Sequence, residues 1–171
     1  MDFKSKLRHV MDFPKEGIDF IDITTVLQDA EAFKCCMDKF SELAGQMEDF
    51  DIILGSESRG FIFGAPLAYK MGKGFVPVRK KGKLPYKTIS AEYDLEYGKD
   101  ILEIHADAIK PGQNVLIVDD LLATGGTADA NIRLVEQLGG KVVGLVYFIE
   151  LSMLNGREKL KDYKVESIVE F

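Results

Sequence analysis

Tryptophan is missing from the 171-residue chain, cysteine occurs twice and proline five times. Cys35 and Cys36 are adjacent, so a disulfide between them would be strained, and a reduced, cytoplasmic protein is expected. His9 and His105 are the only histidines, far apart and without cysteine or carboxylate at ligand spacing, which gives no sign of a protein-held metal. Long apolar runs are missing too. The longest, near Val142 to Ile149, is far too short to cross a bilayer, and Met1 to His9 has no apolar signal-peptide core, so no membrane association is expected. Basic charge is scarce, with 22 Lys and Arg against 28 Asp and Glu and a net charge of −6. That balance argues against nonspecific nucleic-acid binding, which needs a broad basic face.

What is present suits one folding unit. Hydrophobic residues make up 46% of the chain, and there is no internal repeat, low-complexity tract or linker, so residues 1–171 are expected to form a single domain. A short helix is expected near residues 2–10, a turn-rich segment at Phe13 to Gly17, and extended chain from Ile18 to Leu27. Asp29 should cap a helix whose apolar stripe is Phe33, Met37, Phe40, Ala44 and Met47. Then come a strand at 51–54, a helix at 61–71, a strand at 75–78 and a hairpin of 92–97 with 100–105. Strands at 115–118, 142–148 and 164–171 follow, the last at an edge. Such alternation predicts an α/β fold, a mostly parallel twisted sheet flanked by helices, with ligands at the carboxyl ends of its strands.

One run carries the chemistry. Val115 to Val118 read as a buried strand, Asp119 and Asp120 follow, and Ala123, Thr124, Gly125, Gly126 and Thr127 open a helix with Ala130, Leu134 and Leu138 on its apolar face. Backbone N–H groups at such a helix start favour a phosphate, and the adjacent carboxylates suit ribose hydroxyls or a hydrated magnesium ion. Arg79, Lys80, Lys81, Lys83 and Lys87 concentrate positive charge in one loop, which the topology should bring to the same crevice as Glu57, Ser58 and Arg59. The dinucleotide glycine fingerprint and the P-loop motif are both missing.

Asp-Asp-Leu-Leu-Ala-Thr-Gly-Gly-Thr, at 119–127, resembles the phosphoribosyl-diphosphate signature of type I phosphoribosyltransferases, in the form carried by the branch that acts on adenine. Three further blocks, 12–24, 55–61 and 90–99, resemble the same family. The resemblance implies that fold, a flexible hairpin lid including Tyr97 and Gly98, a small amino-terminal base-binding hood, and a homodimer in which Arg79 reaches the partner's site. It assigns the 5-phosphate to residues 123–127, the ribose diol to Asp119 and Asp120, and the diphosphate to Glu57, Ser58, Arg59, Arg79, Lys80 and Lys83. Adenine would be read by backbone at Asp19 and Ile21, stacked on Phe20 and packed by Leu121. Many relatives carry arginine in place of Ile21, a change that bears on local packing more than on a main-chain contact. Catalysis would rest on Glu96, near the incoming base, and on Arg59, with magnesium arriving mainly on the diphosphate. The implied reaction converts adenine and 5-phosphoribosyl 1-diphosphate to AMP and diphosphate. Two alternatives share the donor site: a transferase for hypoxanthine, guanine or xanthine, and a non-catalytic ligand sensor.

Overall fold

Local capping and long-range strand pairing divide the work of organising the chain. A computed structural model describes residues 1–95 and 98–171, whose contacts separate two units, Met1–Lys39 and Phe40–Phe171.

In the first unit, strand β1 (Arg8–Met11) pairs antiparallel with β2 (Asp19–Asp22), from Arg8↔Asp22 to Met11↔Asp19. The helix expected over 2–10 is therefore a correction. Phe3 and Leu7 have helical spacing and are buried, but residues 4–6 form only a turn before the ladder with β2 takes over. The extended segment expected over 18–27 is also shorter. Asp22 accepts the Thr24 N–H at 2.9 Å and the Thr24 hydroxyl at 2.7 Å, turning the chain into helix α1 (Thr24–Leu27). Asp29 does act as a cap, its Oδ1 accepting the N–H groups of Glu31 and Ala32 at 3.0 Å at the start of helix α2 (Ala30–Ala44).

The second unit is built on a seven-stranded sheet. Five strands run parallel: β3 (Ile52–Ser56), β4 (Gly74–Lys80), β7 (Asn114–Leu122), β8 (Lys141–Glu150) and β9 (Val165–Glu170). The antiparallel hairpin of β5 (Thr88–Leu95) and β6 (Gly98–His105) joins beside β4, giving the order β5-β6-β4-β3-β7-β8-β9. Central strands are apolar on both faces: Ile53, Leu54, Leu116, Ile117 and Val118 are fully buried, as a parallel sheet covered on two sides requires. Phe63 of α3 (Arg59–Met71) stacks on Phe40 at 5.1 Å, while Ala130 and Leu134 of α4 (Gly126–Gln137) bury the opposite helical layer's apolar face.

Two boundaries differ from expectation where the site begins. Helix α3 starts at Arg59, two residues earlier than Phe61, and β7 continues through Asp119 and Asp120 to Leu122. The strand persists because its ladder with β8 does, through Asp119↔Tyr147, Leu121↔Ile149 and Leu122↔Glu150. From β3 the chain moves to β4 on one side, and from β7 to β8 on the other. At such a reversal the loops leaving β3 and β7 part, and a crevice opens between them at the carboxyl ends.

Candidate active site

That crevice holds a cavity of about 750 Å³. Two helices begin at it. Ser58 precedes α3 and Gly125, with φ of 78°, precedes α4, so the leading N–H groups of both helices, which lack intrahelical partners, meet one space. Of the residues expected to hold the donor, Glu57, Ser58, Arg59, Lys80, Lys83, Asp119, Asp120 and all of 123–127 line the cavity, as does Leu121. The strand–turn–helix run and the basic loop therefore do converge.

The acidic pair is asymmetric. Arg59 Nε meets Asp120 Oδ2 at 2.5 Å, so one residue expected at the diphosphate and one expected at the ribose form a single ion pair. Asp119 Oδ1 accepts the Asp120 N–H at 2.9 Å, but burial, followed by the neighbouring Asp120 charge, pushes the Asp119 carboxyl well above the usual range. A carboxylate in this setting gains from hydroxyl donors or a cation brought to it. Gly60 makes room for it: a Cβ at that position would stand 2.8 Å from Asp119 Oδ1.

On the basic side, Glu57 serves as a brace. Its Oε2 accepts the Lys80 N–H at 3.0 Å and faces Arg79 Nε at 3.3 Å, and the Lys80 N–H bond, ahead of the Arg79 charge, holds Glu57 below the usual carboxylate range. The side chain is thus occupied with cations and amides, and the Glu57 N–H donates to the Val78 carbonyl at 2.8 Å; the peptide joining Glu57 to Ser58 is cis. Arg79 also donates to the Lys83 carbonyl at 3.1 Å and, unlike Lys80 and Lys83, does not line this chain's cavity.

Three lining or supporting residues were missed in the sequence. Tyr93 enters the cavity from β5 and donates to Asp100 Oδ2 at 3.1 Å, the same oxygen that meets Lys80 Nζ at 3.2 Å. Burial, then the Asp100 charge, pushes the Tyr93 phenol up to about 12, so it works as a hydrogen-bonding hydroxyl at neutral pH. Burial opposes ionisation of Asp100, but the Ile101 N–H and the Lys80 ammonium outweigh it and hold the carboxyl low. Tyr147, on the β8 floor, has its phenol raised by burial and by Asp119. Alternation along β5, with Ala91 buried, Glu92 exposed and Tyr93 half-buried, is the signal that points Tyr93 inward.

The remaining candidates fall in the first unit and at residues 96–98. Asp19, Phe20 and Ile21 belong to β2 in the first unit, where Asp19 Oδ2 pairs with His9 Nδ1 at 2.7 Å and Phe20 meets the Phe13 ring edge-on at 5.2 Å. Phe20 is half-buried there. Glu96 and Tyr97 lie outside the described residues, and Gly98 is the first residue of β6, opposite Leu95.

Comparison with known proteins matches residues 22–171 to the model of the phosphoribosyl transferase domain. The chain is 77% identical to the adenine phosphoribosyltransferase of Ruminiclostridium cellulolyticum and 72% to that of Acetivibrio thermocellus, each over all of both chains. The crystal structure of the Thermoanaerobacter pseudethanolicus adenine phosphoribosyltransferase superposes with a TM-score of 0.95 at 54% identity, covering 98% of this chain and 97% of that one. The Saccharomyces cerevisiae enzyme, complexed with an imino-altritol bisphosphate and adenine, gives 0.91 at 43% identity over 96% and 95% of the two chains. No helix among the described residues is long and apolar enough to cross a membrane.

Proposed function

The chain belongs to the phosphoribosyltransferase family, among its adenine-using members, and from that premise we propose that it transfers the 5-phosphoribosyl group of 5-phosphoribosyl 1-diphosphate to N9 of adenine, releasing diphosphate and forming AMP. The observation that carries this reading is the convergence of two helix N-termini, the Asp119–Asp120 pair and the Arg59, Lys80 and Lys83 cations on one cavity. A ligand with a phosphate at one end and a diphosphate at the other matches that charge pattern.

Each group has a task. Thr124 to Thr127 hold the 5-phosphate by backbone N–H groups and hydroxyls, and the Asp pair accepts hydrogen bonds from the ribose diol. As the anomeric bond breaks, negative charge grows on the departing diphosphate, where Arg59, Lys80 and Lys83 are already fixed. Cations held in place need no reorganisation at that moment, and removing one such donor costs about 3 kcal/mol of barrier. Tyr93 donates to the Asp100 oxygen that also meets Lys80 Nζ, which helps to hold Lys80 at the cavity.

Adenine is assigned to backbone at Asp19 and Ile21, to the Phe20 ring and to Leu121. Glu96, close to the incoming base, takes or holds the N9 proton. Residues 90–99, with Tyr97 and Gly98, close over the donor and exclude water, which would otherwise hydrolyse it. Magnesium fits as an ion carried in on the diphosphate, since no cluster of three or more acidic, histidine or cysteine side chains among the described residues stands ready to hold a metal alone. Bound there, the ion would neutralise charge on the leaving group. Residues 1–171 act as one catalytic domain in the cytoplasm. Two chains form the working homodimer, with Arg79 serving the partner's cavity.

The test is incubation with magnesium, donor and each of adenine, hypoxanthine, guanine and xanthine in turn. AMP formed from adenine alone supports the reading. Another nucleotide moves the base assignment, and donor binding without any product points to a sensor. Glu96→Gln should lower kcat with little change in donor affinity, and unchanged turnover would remove Glu96 from the chemistry.

A further inference from the structure

Behind the phosphate turn, on the side away from the cavity, the chain leaving β8 folds into two short 3₁₀ turns, Ser152–Leu154 and Gly156–Leu160. Gly156 lies directly against the turn: a Cβ on Gly125 would stand 2.6 Å from the Gly156 carbonyl oxygen, and a Cβ on Gly156 would strike the Ala123 carbonyl. Backbone rests on backbone, so the position of 156 sets the position of 123–125. The next residue fixes that position. Arg157 donates from Nε to Glu150 Oε1 and from an Nη to Glu150 Oε2, both at 2.7 Å, and from its other Nη to the Val165 carbonyl at 2.8 Å. Glu150, the last residue of β8, is 5% exposed and also accepts the Ser167 hydroxyl at 2.7 Å. It lies beside Leu122 in the ladder, one residue before the phosphate turn begins.

We propose that Arg157 is a positioning residue for the 5-phosphate: clamped by Glu150 on the rigid sheet, it holds the Gly156 backbone behind Ala123 and Gly125 and so fixes the aim of the N–H groups at 124–127. Arg157 touches no substrate. Its planar fork suits the task because two parallel hydrogen bonds fix direction as well as distance, which a lysine cannot do. The identity of the 5-phosphate ligand rests on the functional reading above, but the mechanical coupling does not.

The experiment uses the full chain and compares wild type with Arg157→Ala, Arg157→Lys and Gly156→Ala. Calorimetry would measure the affinity of ribose 5-phosphate and, separately, of diphosphate with magnesium, and steady-state kinetics the KM for donor and kcat. Displaced binding groups remote from the chemistry cost about tenfold to a hundredfold. A loss of that size for ribose 5-phosphate in Arg157→Ala, a smaller one in Arg157→Lys, unaltered diphosphate affinity and a KM change exceeding that in kcat are expected. Gly156→Ala, which keeps the ion pair and displaces the backbone, should repeat the selective loss, and Arg157→Lys decides the role of the arginine if Arg157→Ala does not fold. Equal loss for both ligands, or unchanged ribose 5-phosphate affinity in folded Gly156→Ala and Arg157→Lys, would overturn the proposal. A selective loss in a protein that made no AMP would uphold it and overturn only the functional reading.

Discussion

Adjacent parallel strands end in two carboxylate sites of opposite character. On β7, Asp119 and Asp120 crowd together beside the cavity, where Arg59 Nε meets Asp120 Oδ2. On β8, Glu150 has Arg157 on both oxygens and Ser167 on one. Burial and a like charge push Asp119 up, whereas the Arg157 hydrogen bonds, which outweigh burial, pull Glu150 down. The difference lies in the charge each carboxylate faces: Glu150 is stabilised as an anion by a cation bound through both its oxygens, whereas Asp119, raised by burial and a like charge, is the one that a hydroxyl or cation brought to it would stabilise. A site of the second kind costs stability and gains binding.

The sharpest way to break the contrast is to silence the β7 pair. Asp119→Asn combined with Asp120→Asn should reduce kcat/KM for donor by roughly 3 kcal/mol or more of transition-state stabilisation, measured by initial rates, with unaltered donor affinity counting against the ribose assignment. Removing the β8 partner attacks stability instead. Arg157→Ala strands a buried carboxylate, and urea denaturation should show a loss of about 2 to 3 kcal/mol, discounted for the part of the arginine in solvent. Asp119→Asn alone should go the other way, stabilising the ligand-free protein by on the order of 1 kcal/mol while weakening the donor. A destabilised Asp119→Asn would mean the pair is structural.

The smallest effect is in the pH dependence. Glu150 has a folded pKa below its unfolded value, so its contribution is present above the ordinary carboxylate range and is lost as pH falls through the depressed value. Asp119 has the opposite sign: its contribution is present below the ordinary carboxylate range and is lost as pH rises towards the elevated folded value. Stability of Glu150→Gln should therefore fall less than wild type on acidification, and that of Asp119→Asn should fall more. Parallel curves for the two variants would contradict the assignment.

These two sites also mark how far the sequence can be read. The β7 run was legible as structure because strand, carboxylates, glycines and helix are contiguous, so the placement of each residue at the cavity follows from its neighbours. The Glu150 clamp was not, because Arg157, Val165 and Ser167 reach it from the 3₁₀ turn and from β9, and only the β8–β9 register brings them together. Tyr93 was missed for a like reason: its task depends on Asp100, its cross-strand partner. At the amino terminus, the spacing of Phe3 and Leu7 suggested a helix, whereas the ladder of β1 with β2, closed over residues 12–18, is invisible to any local pattern. The centre of the parallel sheet was legible, since strands such as β8 that are buried on both faces announce themselves as long apolar runs.

Gly60, in the first turn of α3, gives the crevice a fixed point. The smallest departure from glycine there sets a methyl group 2.8 Å from the Asp119 carboxylate, so the position offers no gradual path and no neutral intermediate. Its neighbour Phe61 packs edge-on against Phe75 at 5.9 Å, a contact that tolerates exchange among rings and aliphatic chains of similar size. Drift can therefore reshape the helix around residue 60 without touching it. A side chain at 60 has room only if the carboxylate moves, and with it the ribose site proposed for the pair.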